Sequence, residues 1–329
     1  MKLASYIGLF IGLAVLIALI AWQGVAEVGG LLIRSGWPLL LVPVIWLPTT
    51  LPATRGWQLL FVPAQMPTYG RTFYAQWMGR SVNTLLPVAT IGGEVVKARL
   101  LALWGTDPLH ASASVVVDKT VQVVALILSG TIGILALSWL ALDDALAVSA
   151  AAGLALLGAG LAGFFVVQKA GMFGFMAKSA HKLTRKDFFG GLVEKAGEVD
   201  RIIRDVYRQR GRTAAAMFWR FLAVILQTGE VWLAAYLLGH PLGLVEAVML
   251  KSLSGTLSDV AFVIPNSYGV QEGAYIVLGA MVGLTPDVAL AISLATRLRE
   301  LLFDVPGLIL WQHAEGRALI RRRCSENAA

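Results

Sequence analysis

From Leu3 to Ala26 the chain runs 24 residues without a charge, and apolar runs of similar character recur almost to its end. A helix rises ~1.5 Å per residue, so about twenty such residues cross the ~30 Å hydrocarbon core of a bilayer. In lipid each main-chain N–H and C=O has to find a partner within the protein, which makes these runs helices. Composition agrees: 57% of residues are hydrophobic, 14% are charged and the mean hydropathy is +0.72, excluding an ordinary soluble protein. The expected fold class is an all-α polytopic membrane protein, one transmembrane domain over 1–329 with too little polar sequence for a separate catalytic domain. The net charge of +7 does not argue for nucleic acid, because Lys and Arg gather beside apolar runs as orientation signals. The single cysteine, Cys324, lies in the polar tail, so neither an internal disulfide nor a Cys-ligated metal is expected.

About six full spans are expected. The first, over 3–26, is too long for a signal peptide and has no convincing cleavage site; its Gly8 and Gly12 offer a close-packing face. The second, over 37–54, carries prolines at 38, 43, 48 and 52, so it has to kink. The others cover 110–142, 145–167, 214–238 and 287–311. Between them lie two stretches of a different kind. Residues 72–86 and 91–104 are each only about fifteen residues long, or roughly 22 Å of helix, too short to cross. They flank Pro87-Val-Ala-Thr-Ile-Gly92-Gly93. Residues 244–264 and 272–284 likewise flank Pro265-Asn-Ser-Tyr-Gly269. Both pairs, 72–104 and 244–284, are expected to be re-entrant helical hairpins; tilted or interfacial helices are the competing arrangement.

The segment 169–212 holds eleven Lys/Arg against five Asp/Glu, a balance of +6, and is expected to be a solvated cytoplasmic loop that can also meet anionic headgroups. The N-terminus at Lys2 and the tail 314–329, with Arg317 and Arg321 to Arg323, belong on the same side. Trp22, Trp37 and Trp139 then mark outer ends, and Trp57, Trp104 and Trp311 inner ends. With these assignments the first half (1–168) and the second (213–313) carry their hairpins in opposite orientation. Pro87 precedes Glu94 by seven residues, and Pro265 precedes Glu272 by seven. Asp118 and Lys119 follow the first proline by thirty-one and thirty-two residues, and Arg297 follows the second by thirty-two. Similar breaks in opposite orientation are the sequence mark of an inverted repeat with a mid-membrane site between its halves.

The first break reads Asn83-Thr-Leu-Leu-Pro87-Val-Ala-Thr-Ile-Gly92-Gly93-Glu94 and the second Pro265-Asn-Ser-Tyr-Gly269-Val-Gln271-Glu272-Gly273. These resemble the Asn-x-x-x-Pro…Gly-Gly-Glu and Gly-x-x-Glu-Gly breaks of the lysylphosphatidylglycerol synthase and flippase-like membrane-region family. The likeness covers nearly the whole chain. Ala21-Trp-Gln-Gly24, the Gly-Val-Gln-Glu-Gly-Ala-Tyr stretch from 269 to 275, and Arg297-Leu-Arg299-Glu300-Leu-Leu with Pro306-Gly307-Leu look most like the members associated with hopanoid biosynthesis. The resemblance implies a bacterial inner (cytoplasmic) membrane and a membrane lipid as partner, with lipid-biosynthesis proteins as further candidates. Since the sequence stops at Ala329 without a soluble aminoacyl-transferase domain, lysyl transfer is not implied.

The candidate site follows from charge placed in the hydrocarbon layer. A helix broken there exposes N-terminal amides and a partial positive charge that suit an anionic headgroup, and Gly92, Gly93 and Gly269 either admit a ligand to the backbone or merely permit the turn. Glu94 and Glu272 fall in the first turns of the returning helices. Each costs roughly 2.5–3.5 kcal/mol near the bilayer centre, so each is expected to face a cavity and bind a ligand or carry a proton. Asn83, Arg80, Lys97 and Gln271 complete the set, with Asp118 and Lys119. Arg297, Glu300 and Asp304 share one helical face, as substrate ligands or as packing ion pairs, while Arg299 points elsewhere. Glu230 and Asp259 are weaker candidates, and Arg220 is expected to snorkel to the surface.

The chain has four histidines, His110, His181, His240 and His313, and no HExxH, GxSxG or Walker loop. No catalytic residue, metal site or cofactor is expected. The expected function is a lipid transporter or flippase that moves an amphipathic lipid, a hopanoid or an anionic lipid, between leaflets. An intramembrane headgroup transferase and a non-catalytic assembly factor are the competing classes.

Overall fold

The computed structural model describes residue 30 and residues 33–86, 92–140, 144–169, 190–261 and 264–326. The described residues are helical throughout, without strands. The expected span 3–26, the first break from Pro87 to Ile91 and residues 170–189 of the polar segment lie outside them. The elements are α1 (Trp37–Gln58), α2 (Tyr69–Leu85), α3 (Gly92–Leu103), α4 (Pro108–Trp139), α5 (Asp144–Lys169), α6 (Gly190–Arg208), α7 (Arg210–Leu226), α8 (Thr228–Leu237), α9 (Leu244–Val260), α10 (Val270–Met281), α11 (Pro286–Arg299) and, after a π-turn at Glu300–Asp304, α12 (Val305–Glu326).

Three of these are long and apolar enough to cross a membrane: α1, α4, and α7 with α8 taken as one bent helix, Arg210–Leu237. The kinks expected in α1 take the form of alternating 3₁₀ and α turns, with 3₁₀ turns at Trp37–Leu40 and Leu47–Thr49, each opening next to a proline. A proline lacks the N–H that would hold the preceding turn, so the chain tightens there instead of breaking. Thr50 and Thr54 donate their hydroxyls back to the Leu47 and Thr50 carbonyls at 2.7 and 2.8 Å.

An offset of 178 residues relates several landmarks in the two parts of the chain. It carries both ends of α3 (Gly92, Leu103) onto those of α10 (Val270, Met281), and Pro108 at the start of α4 onto Pro286 at the start of α11. Gly105 and Gly283, also 178 apart, each take a left-handed conformation just after these helices, with φ of 94° and 79°. Contacts repeat as well. In each half the second hairpin helix packs on the first and on the helix that follows, α3 on α2 and α4, α10 on α9 and α11. The first hairpin helix also reaches across: α9 packs on α4, and α2 packs on the π-turn and α12. Small residues allow this approach. A methyl group on Gly133 of α4 would meet the Leu253 side chain of α9 at 2.9 Å, and one on Gly56 of α1 would meet the Ala216 carbonyl of α7 at 3.0 Å.

Three sequence expectations change. The segment 169–212 is more than a solvated loop: its described part includes α6, whose buried Ile203 and Val206 pack against α4 and its neighbours while Arg201, Arg204 and Arg208 face outward. Trp57 is fully buried and donates to Ser114 at 3.3 Å, so it serves packing within the bundle; Trp37 and Trp139 are 75% and 83% exposed. Beyond Trp311 the chain stays helical to Glu326, fastened by Arg99, which donates to both Glu315 oxygens at 2.6 and 2.9 Å.

Candidate functional site

The second break is held by its own glutamate. After α9 the backbone passes through left-handed conformations at Asn266 (φ 51°), Ser267 (φ 50°) and Gly269 (φ 79°), then enters α10. The Gly269 N–H donates to Glu272 Oε2 at 2.7 Å, so the carboxylate caps the helix that carries it. Its other oxygen accepts from Arg297 Nε on α11 and from Ser293 at 3.5 Å. Arg297 also donates to Glu300 at 2.9 Å and to the Asn266 carbonyl at 3.4 Å, and stacks 4.6 Å from the Tyr268 ring. Tyr268 in turn donates to Glu300 at 3.2 Å. Glu272 is wholly buried. Gln271 points at the same helix, donating to Ser293 and Thr296 at 3.2 and 3.4 Å.

The first hairpin is built differently. Its helices touch backbone to backbone, and a methyl group on Gly93 would lie 1.9 Å from the Gly79 carbonyl oxygen. Asn83 accepts the Gly93 N–H at 2.7 Å, supplying a partner for an amide at the start of α3. Gly93 and Asn83 are thus spent on packing and capping. Glu94 pairs with Lys97 at 2.9 Å and with Lys119 of α4 at 3.6 Å. Lys97 continues to Asp118 at 3.8 Å, and Asp118 also accepts from Gln122 at 2.8 Å and from Arg220 of α7. Arg220 therefore does not snorkel: it is 8% exposed and bound to a fully buried carboxylate, which would be costly to leave unpaired in the interior.

The two glutamates occupy matched places. Glu94 pairs with Lys119 and Glu272 with Arg297, and each cation follows its glutamate by 25 residues on the helix after the hairpin. No hydrogen bond or ion pair among the described residues joins one glutamate's network to the other's.

A third network, absent from the sequence reading, ties the halves together. Glu230 of α8 accepts from Arg299 at 2.8 Å on both oxygens and pairs with Lys251 of α9 at 3.5 Å. Asp304 in the π-turn pairs with Arg80 of α2 at 3.3 Å and accepts from Ser81 at 3.4 Å, while Trp77 donates to the Phe303 carbonyl at 2.8 Å. Both guanidinium groups approach the Trp46 ring of α1, Arg80 at 3.9 Å and Arg299 at 5.2 Å from its centre. Two readings of the last span are corrected here. Arg297 and Glu300 do meet, but Asp304 turns away from them to Arg80, because the π-turn places more residues in the turn and breaks the i, i+7 alignment. Arg299, set aside because it leaves that face, is buried against Glu230. Its signal was present in the sequence as an arginine within an apolar span; its partner, 69 residues away, was not.

Among the described residues no group of three or more His, Cys, Asp and Glu side chains could hold a metal ion. Residues 9–306 match the sequence profile of the family described as the lysylphosphatidylglycerol synthase TM region. No curated protein and no solved structure matches the chain.

Proposed function

The chain belongs to the lysylphosphatidylglycerol synthase TM-region family, and from that premise we propose that it is a lipid transporter, moving an amphipathic lipid between leaflets of the inner membrane. In this reading the halves form an inverted repeat of six spans and two re-entrant hairpins, with the N-terminus, the 169–212 segment and the C-terminus in the cytoplasm. One observation carries it: matched ion pairs, Glu94–Lys119 and Glu272–Arg297, close each hairpin onto the next helix at the same spacing. Repeated hairpins with ionisable groups beside their breaks are what a transporter needs to expose one site alternately to each side. The crossed packing of α9 on α4 and of α2 on α12 gives each half a surface on which to rock against the other. Buried charge of this amount is costly in a membrane, and an inert bundle has no need of it.

The test is a leaflet-specific lipid assay in proteoliposomes. Glu94→Gln and Glu272→Gln, checked for monodispersity, are each expected to slow flipping by about tenfold or more. Unchanged rates in both would remove the carboxylates from the mechanism, and absence of flipping by the unaltered protein would remove the transport reading.

A further inference from the structure

The third network holds more positive charge than it pairs. Its ion pairs join three cations, Arg80, Arg299 and Lys251, to two carboxylates, Glu230 and Asp304. Arg80 is 30% exposed and the other four are at most 16% exposed, so the group of this network that a ligand can reach is a guanidinium. Its pose is set from two sides. Nε is held by Asp304 at 3.3 Å, and the guanidinium carbon lies 3.9 Å from the centre of the buried Trp46 ring. The two Nη groups have no partner among the described residues. They form the fork with which arginine takes a phosphate through two parallel hydrogen bonds.

Donors are in surplus here as well. The indole Nε1 of Trp46 and the Nε of Arg299, whose guanidinium stands 5.2 Å from the same ring, are buried and find no acceptor among the described residues. Against them stands one buried acceptor without a donor, Asp304 Oδ2. Buried donors without acceptors and uncompensated buried charge are both costly. A group with one negative charge and several acceptor oxygens answers both deficits. We propose that Arg80 is the phosphate-binding residue of a subsite between α1, α2 and the π-turn that takes a phosphodiester monoanion, with Trp46 as its platform and Asp304 as its orienting group. Arg80 stands five residues before the end of α2 at Leu85, about 7.5 Å of helix, which places the phosphate beside the first hairpin. The proposal deepens the lipid-transport reading by naming the charge of the headgroup and rests on that reading for its role; binding is measurable separately.

The purified full-length protein is titrated by native mass spectrometry with a monoanionic phosphoglycerol lipid and a zwitterionic phosphocholine lipid of equal chain length. The anionic lipid is expected to bind about tenfold tighter. Arg80→Lys keeps the charge, loses the fork and should cut the preference to a few-fold. Because Arg80→Gln alone strands Asp304, the deciding variant pairs Arg80→Gln with Asp304→Asn. That change removes one charge of each sign and leaves the positive surplus in place; it should bind both lipids alike while keeping the Tm and monodispersity of the unaltered protein. Equal binding of the two lipids by the unaltered protein, or a preference that survives the double change, overturns the subsite. Inorganic phosphate added as competitor separates the sources: displacement of the lipid supports the fork with a free anion as its occupant, and retention supports it with the lipid. The two lipids in the flipping assay separate the subsite from transport. A preference without any flipping keeps the subsite and sinks transport, whereas flipping of the anionic lipid that the double change leaves untouched does the reverse.

Discussion

The two hairpins carry the same pair of charges and treat it in opposite ways. In the second, Glu272 and Arg297 are 0% and 9% exposed, and the carboxylate both caps α10 and anchors α11. In the first, capping has passed to Asn83 and close contact to Gly93, so the Glu94–Lys119 pair stays loose, at 3.6 Å with Lys119 45% exposed. A glutamate relieved of holding its own hairpin together is left with a less constrained cation. The second pair fastens its hairpin, and the first is longer and more exposed.

The largest effect should therefore come from breaking the closed pair. Arg297→Ala strands Glu272 and Glu300 in the interior, and losing one partner of a buried pair costs roughly 3–5 kcal/mol. Lys119→Ala leaves Glu94 with Lys97 and removes an exposed contact worth at most ~1 kcal/mol. Thermal unfolding in detergent should show a large fall in Tm, or loss of the folded protein, for the first change and a small one for the second. Equal losses would mean that the difference in exposure carries no mechanical meaning.

The next contrast concerns the turns. Gly93→Ala drives a methyl group into the Gly79 carbonyl, and backbone cannot swing aside as a side chain can, so α2 and α3 have to part. Overpacking of this kind costs ~1–3 kcal/mol or more. Gly269→Ala is strained by the left-handed φ of 79°, at a cost of roughly 1–2 kcal/mol. Gly93→Ala should be the more damaging, read as Tm and as yield of monodisperse protein. The reverse order would place the tighter constraint in the second hairpin.

How far the sequence foretold this differs by feature. Hairpin helices expected over 72–86 and 91–104 are found at Tyr69–Leu85 and Gly92–Leu103, because Pro87 and the glycines act on their own neighbours. The Pro-to-Glu spacing pointed to matched glutamates for the same local reason. Partners such as Arg220 for Asp118, or Arg299 and Lys251 for Glu230, are tertiary. Hydropathy registers that a charge is present but not which helix turns to meet it. Face counting failed at Glu300–Asp304 because it assumes an unbroken α-helix. In α6 the abundant charges of the 169–212 segment hid the apolar side of an amphipathic helix.

The smallest expected effect compares the residues before α4 and α11, again 178 apart. Asp107 accepts the His110 N–H at 2.9 Å and contacts the His110 ring at 2.8 Å, while Thr285 makes no side-chain cap. Burial pushes the Asp107 carboxyl up, but the hydrogen bonds from His110, main chain and ring, outweigh it and hold the carboxyl below its usual range. A carboxyl depressed on folding contributes stability at pH values above its unfolded pKa, about 3.9, and loses that contribution as pH falls through its folded value. Asparagine caps equally well without titrating. The stability difference between the unaltered protein and Asp107→Asn should thus shift against the unaltered protein as pH falls below about 4. Asp107→Ala should cost only ~0.5 kcal/mol at neutral pH, since the carboxylate is 39% exposed and screened. Thr285→Ala should show neither the cost nor the pH dependence; if it matches Asp107→Ala in both, the first half gains nothing from its charged cap.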